Sequence, residues 1–191
     1  APHPHNLQSW LVDLKHANEI TLYCDTNRLL PDTDPLSRQI VLGQGTFIEL
    51  LYLAAKQVGL RADIALFPEG MFDAKTVDRR PTARISLYSD TALAKDALFA
   101  QILKRRTNRE MYETKDISDA SMKSIMASAS GLPVQIGFST NTAADVLSQH
   151  RAIAKEAWRI ELTTPRTMLE SLKLMRVGPA EIKQNPDGIS I

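Results

Sequence analysis

Residues 34–59 read DPLSRQIVLGQGTFIELLYLAAKQVG, and this stretch decides the fold. Asp34 followed by Pro35 is a helix entry, with the aspartate as N-cap and the proline at the first helical position. The helix is predicted to run from Leu36 to about Val58. It stops at Gly59, a residue suited to the position just past a helix end. Phe47, Leu50, Leu51, Ala54 and Val58 share one face at helical spacing, while Ile48 and Leu53 fill the other side. A helix apolar nearly all round is buried, so this one belongs at the centre of a lobe. Gly43-Gln44-Gly45 lies inside it and reads as a close-packing site, not as a nucleotide loop.

On either side the period changes from that of a helix to that of strands. Trp10–Leu14 and Ile20–Tyr23 alternate, and the turn at His16-Ala17-Asn18 joins them as a hairpin. Arg61–Phe67 and Ala83–Tyr88 read as two more strands, separated by a Pro/Gly/Asp loop over 68–81. A helix over Thr91–Lys104, capped by Asp90, is expected next, and residues 105–117 are polar and irregular. Ser118 caps a helix to Ser130 that Gly131 closes, and Val134–Ser139 reads as a strand. A long helix over Thr142–Glu161 carries His150 on its apolar stripe, which predicts a packed core histidine. Thr164-Pro165 opens another helix, ending near Val177. Asn185-Pro186-Asp187-Gly188 is a turn leading into a short apolar run. The pattern divides the chain into a first lobe over 1–100, with strands flanking a buried helix, and the start of a second over 101–191. The second half holds one clear strand and reads as unfinished. The sequence also opens directly on turn-forming residues, so the natural protein is expected to extend beyond this stretch.

Composition bounds the function. The chain has 191 residues, 43% apolar and 24% charged, with 23 basic against 22 acidic residues for a net charge of +1. That balance argues against a nucleic-acid-binding face. No apolar run approaches the ~20 residues of a membrane span, and residues 1–10 hold no apolar core segment of the kind that a signal peptide carries. The chain is expected in the cytoplasm, or in the periplasm if an export signal has been removed. The single cysteine, Cys24, excludes an internal disulfide framework, and no nearby cation prepares it as a nucleophile. His3, His5 and His16 lack the acidic or thiol partners that would complete a metal set.

Two segments carry chemistry. In Lys104-Arg105-Arg106-Thr107-Asn108-Arg109, guanidinium forks, a hydroxyl and an amide alternate in an irregular stretch. This is either a phosphate clamp or a basic linker capping the C-terminus of the preceding helix. In Pro4-His5-Asn6-Leu7-Gln8-Ser9-Trp10, amide groups follow a rigid turn. They suit the edge of a flat heterocycle, or they belong to an ordinary polar loop ahead of a strand. Grips for a phosphate and a heterocycle, without an acid, base or nucleophile, point to a cofactor that does the chemistry.

Together the two segments resemble the FMN-dependent nitroreductases. Arg105-Arg106-Thr107-Asn108-Arg109, followed by Ile117-Ser118-Asp119 and a helix, resembles the family's Arg-x-Ser-x-Arg opening. Pro4-His5-Asn6-Leu7-Gln8-Ser9-Trp10 is similar to its Pro-Ser-x-x-Asn-x-Gln-Pro-Trp loop. The order is reversed, and with Asp25-x-x-Arg28-Leu29-Leu30-Pro31-Asp32-x-Asp34-Pro35 it is similar to the two-lobed Acg-like subgroup. There, one chain carries two nitroreductase-like lobes that imitate the usual homodimer.

The resemblance implies an α+β fold and one FMN. Arg105, Thr107 and Arg109 would hold the FMN phosphate, with Thr107 keeping the hydroxyl of the family's serine. Pro2, His3, Pro4, His5, Asn6 and Gln8 would reach toward the flavin. His3 stands where the family has serine, and Ser9 replaces the proline before Trp10. The implied activity passes electrons from NAD(P)H through the flavin to a small electron-poor acceptor. The alternative is a flavin-binding or flavin-sequestering protein without turnover. The apolar central helix also implies pairing, with a second copy or with further chain of the same protein.

Overall fold

The computed structural model describes residues 1–73, 77–108, 110–113, 115–140 and 143–191. The strand-like segments at either side of the apolar helix form one antiparallel sheet of order β1-β2-β4-β3. Its strands are β1 (Trp10–Asp13), β2 (Glu19–Cys24), β3 (Leu60–Leu66) and β4 (Ala83–Ser89). The hairpin falls where the alternation predicts it. Asn18 takes a left-handed φ of 57° in its turn, and the register sets Trp10 against Cys24 and Asp13 against Thr21. At the centre, Ile85 of β4 lies opposite Ile20 on one side and Ile64 on the other.

The helix α1 (Arg38–Gln57) packs on this sheet. Leu22, Ile48, Ala55, Ala62, Ala83 and Ile85 form the buried core, and Trp10 stacks on Phe47 at 5.4 Å beside it. The helix begins two residues later than Leu36. Asp34-Pro35-Leu36-Ser37 closes as a turn, with the Ser37 amide donating to the Asp34 carbonyl at 2.8 Å. Ser37, not Asp34, then holds the N-cap position in a left-handed conformation. Asp34 still caps: its buried carboxylate accepts from the Gln39 and Ile40 amides at 2.9 and 3.1 Å. A negative group there also meets the positive end of the helix dipole. The buried face runs through Ile40, Gln44, Ile48 and Ala55, while Ala54 and Val58 of the expected stripe are exposed. Gly43 is the close-packing position of its pair, because a Cβ there would lie 2.6 Å from the His3 ring, whereas Gly45 faces open space.

Three expected elements differ. Helix 91–104 is reduced to a 3-10 turn over Ala97–Gln101. Asp90 closes its own local turn by accepting from the Ala92 amide at 3.1 Å. Asp96 then caps the 3-10 turn through the Leu98 amide at 3.0 Å. Two short aspartate turns in succession compete with a continuous helix. Residues 134–139 form no strand. With no neighbour to accept their ladder hydrogen bonds, Val134, Ile136 and Phe138 stay exposed and extended pairing does not form. The last helix stops at Leu172 as α4 (Pro165–Leu172). Met175–Arg176 (β5) pairs in parallel with Ile189–Ser190 (β6), and α5 (Gly178–Gln184) forms the crossover between them.

The chain forms two compact units, Ala1–Arg106 with Pro165–Ile191, and Thr107–Thr164. The segment 165–191, expected in the second lobe, therefore packs with the first. The other unit holds α2 (Asp119–Ser128), capped by Ser118 as expected, and α3 (Ala144–Thr163). None of its described residues is buried. His150 is exposed on α3, not packed in a core, because nothing within this unit covers its stripe. The molecule is thus of mixed α and β structure. Among the described residues, no helix is long and apolar enough to cross a membrane.

Candidate functional site

The N-terminal segment is held as a fixed strap. Pro4 and His5 occupy the corner of a turn in which the Asn6 amide donates to the His3 carbonyl at 3.1 Å. Proline suits that corner because its φ is already set. Asn6 and Gln8 both adopt left-handed backbone, with φ of 49° and 50°. Leu7 between them is buried. On the helix side, Thr46 donates its hydroxyl to the Pro2 carbonyl at 2.7 Å. Trp10 donates Nε1 to the Gly43 carbonyl at 3.2 Å, and buried Gln44 donates to the Ser9 carbonyl at 2.8 Å.

On its other side the strap meets the C-terminal turn. The Pro186 carbonyl accepts from both Asn6 Nδ2 (3.1 Å) and Gln8 Nε2 (2.9 Å), and the Gly188 amide donates to the Asn6 carbonyl at 3.1 Å. Asp187 bridges Arg28 (2.6 Å) and Arg176 (3.0 Å), and Arg28 also donates to the Leu7 carbonyl at 2.8 Å. Burial opposes the charge on Asp187. Hydrogen bonds from Arg176 and Arg28 outweigh it and hold the carboxyl below its ordinary range. Each amide nitrogen of Asn6 and Gln8 has two N–H groups, so one N–H and the carbonyl oxygen of each remain beyond the Pro186 contact.

The basic run divides into two roles. Arg106 turns back on its own backbone and donates to the Leu103 and Arg105 carbonyls at 2.7 and 2.8 Å. These carbonyls lie beyond the 3-10 turn over Ala97–Gln101, so Arg106 braces its own loop and does not cap a helix end. Arg105 is exposed, and among the described residues its guanidinium has no hydrogen-bond or ion-pair partner. It lies close to Ala1, at the start of the strap. Thr107 is exposed in the other unit, with its hydroxyl unpartnered among the described residues. Arg109 lies outside the described residues.

Two groups that a covalent mechanism would draw on are unsuitable. Cys24 is buried, and burial together with Asp25 pushes its thiol up to about 11. A thiol held protonated at neutral pH is a poor nucleophile. His150 has no neighbouring acid or base hydrogen-bonded to it among the described residues.

Sequence reasoning missed the C-terminal turn as part of this neighbourhood. Asn185-Pro186-Asp187-Gly188 is legible as a turn, but the pairing of Asp187 with Arg28 spans most of the chain and leaves no local pattern. Neither a scan of protein-family models nor a search of curated proteins finds a match to this chain.

Proposed function

We propose that the chain is an FMN-binding, nitroreductase-like oxidoreductase of the two-lobed kind. The observation that carries this reading is the division of the basic run. Arg106 is consumed by the backbone, while the Arg105 guanidinium and the Thr107 hydroxyl are exposed and, among the described residues, without a hydrogen-bond partner. A free guanidinium fork and a hydroxyl at alternate positions match the donor chemistry of a phosphate monoester. The Asn6 and Gln8 amides keep one N–H and one carbonyl oxygen each, as the edge of a flavin ring requires. These residues fit the group.

When bound, FMN supplies two-electron chemistry between a reduced nicotinamide and an electron-poor acceptor. Arg105 would bind and neutralise the phosphate, a role that the resemblance also gives to Thr107 and Arg109. Asn6 and Gln8 orient the ring, and their amides are themselves oriented by the Pro186 carbonyl. The chain contributes binding, orientation and electrostatics.

Alanine at Arg105 should weaken FMN binding tenfold to a hundredfold, since a charge-assisted contact contributes about 1.5–3 kcal/mol. Alanine at Arg106 should leave affinity unchanged. Quenching of flavin fluorescence on titration reads both. Unchanged affinity in a variant with alanine at both Arg105 and Arg109 overturns the assignment. Anaerobic bleaching of the bound flavin by NADH or NADPH then separates an oxidoreductase from a protein that only holds flavin.

The same reading calls for pairing, with a second copy of the chain or with further chain of the same protein. The chain exposes 13,922 Å², about 3,000 Å² more than two separately compact units of these lengths would expose. On α3, Ile153, Trp158, Ile160 and Leu162 all lie open. Light scattering should show a dimer at micromolar concentration. A strictly monomeric species that binds no hydrophobic dye refutes the pairing.

A further inference from the structure

His3 is the tightest point of the strap. Its ring lies against Gly43 so closely that a Cβ on that glycine would stand 2.6 Å from Cδ2. Its Nδ1 accepts the His5 backbone amide at 3.2 Å. An imidazole nitrogen that accepts must be unprotonated, so the proton of the neutral ring sits on Nε2. That Nε2 is buried without a partner, as is Nδ1 of His5, whose ring centroid is 6.3 Å away.

The surroundings oppose a charge on this ring. The groups that bear on it are His5, on its own segment, and Asp34, in the turn ahead of α1. The helix presents Gly43, which carries no charge. Arg105, close to Ala1, adds a positive group at the start of the segment. Burial first, and His5 second, hold His3 below the ordinary imidazole value against the attraction of Asp34.

We propose that His3 is a proton-operated latch: neutral, it seats residues 2–5 against α1, and on protonation it loosens them. Protonation converts Nδ1 from acceptor to donor, so the His5 amide loses its partner and faces another N–H. The new charge is also left half-buried against the helix. The sign follows from linkage. A group whose folded pKa lies below its free value of about 6.5 binds more protons when the strap is open. Closure is therefore complete above that pH and weakens as pH falls from about 6.5 through the lowered folded value. Any consequence for flavin binding rests on the function proposed above. The latch itself rests only on the strap and is tested without flavin.

The contact from His3 to the amide two residues on has the geometry of an Asx turn, which asparagine makes with its side-chain oxygen. His3→Asn therefore keeps the acceptor and removes the titration. Amide hydrogen exchange of the apoprotein should be followed by mass spectrometry from pH 8 to pH 5, corrected for the intrinsic pH dependence of exchange. Peptides covering residues 1–10 should lose protection on acidification in the natural chain. They should stay constant in His3→Asn, and peptides from the middle of α1 should not change in either. Constant protection in the natural chain overturns the latch, as does an equal loss in His3→Asn. Should that variant fail to fold, proton NMR titration of the natural chain decides. His3 must titrate below the ordinary imidazole value and in step with opening, and titration at or above that value refutes the proposal.

Discussion

Truncating Ile85 to alanine should cost about 3–4 kcal/mol, the largest loss expected from any single side chain in the sheet. Ile85 is fully buried, and its cross-strand neighbours are Ile20 and Ile64. Three isoleucines thus stand in a row across β2, β4 and β3, facing the surface that packs with Ile48 and Ala55 of α1. Neighbours on both sides are themselves held in ladders, so the space left by three carbons cannot collapse. The loss therefore combines the transfer of the removed atoms with a cavity contribution. Thermal unfolding followed by circular dichroism should show a midpoint lower by about 10 °C. Ile85→Val, one methyl smaller, should cost only about 1 kcal/mol. Leu42, on the exposed side of α1, gives the contrast, and its alanine variant should stay within about 0.5 kcal/mol. Equal effects at Ile85 and Leu42 would mean that the inner face of the sheet is not the core.

This core was legible because both of its periods are written locally. Alternation over 10–14, 20–23, 61–67 and 83–88 places Leu22, Ala62, Ala83 and Ile85 on one face. The 3.6-residue pattern of 36–58 identifies their cover. Of the expected stripe, Phe47 and Leu51 pack against the core while Ala54 and Val58 are exposed, and the most buried face runs through Ile40, Gln44 and Ile48. A helix apolar on several sides offers more than one stripe, and only the partner surface chooses between them. Elements that depend on a partner were misread for a related reason. Val134–Ser139 alternates like a strand, but a strand exists only when a neighbour accepts its hydrogen bonds. Met175–Arg176 and Ile189–Ser190 are too short to stand out, yet they pair because the turn through Gly178-Pro179 returns the chain alongside itself.

The neighbourhood of the strap was partly legible. The turn at His3–Asn6 and the amide pair Asn6 and Gln8 follow from residue type. What those amides touch does not, because Pro186 and Asp187 lie at the far end of the chain. Alternation along the run already sets Arg106 apart from Arg105. What Arg106 meets is legible only in structure, where its guanidinium reaches the Leu103 and Arg105 carbonyls.

Gly188→Ala should release that far end. Gly188 holds φ at +79°, a conformation that costs an alanine about 1 kcal/mol relative to glycine. Its added Cβ would also run into the Leu174 carbonyl oxygen, with the Arg176 guanidinium carbon 3.1 Å away. The carbonyl cannot simply retreat. It accepts the Ile189 amide at 2.8 Å, the bond that starts the β5–β6 pairing. Relieving the clash therefore means breaking that pairing, and the combined cost is about 2–4 kcal/mol. The turn should detach locally and leave the sheet intact. Pro186 would then lose Asn6 and Gln8, and Asp187 would lose Arg28 and Arg176. Hydrogen exchange at neutral pH should rise at least tenfold in peptides covering residues 1–10 and 174–191, with α1 and β4 unchanged. If only the C-terminal peptide loosens, the strap is held by α1 alone, and the Pro186 carbonyl does not orient the two amides proposed to face the flavin.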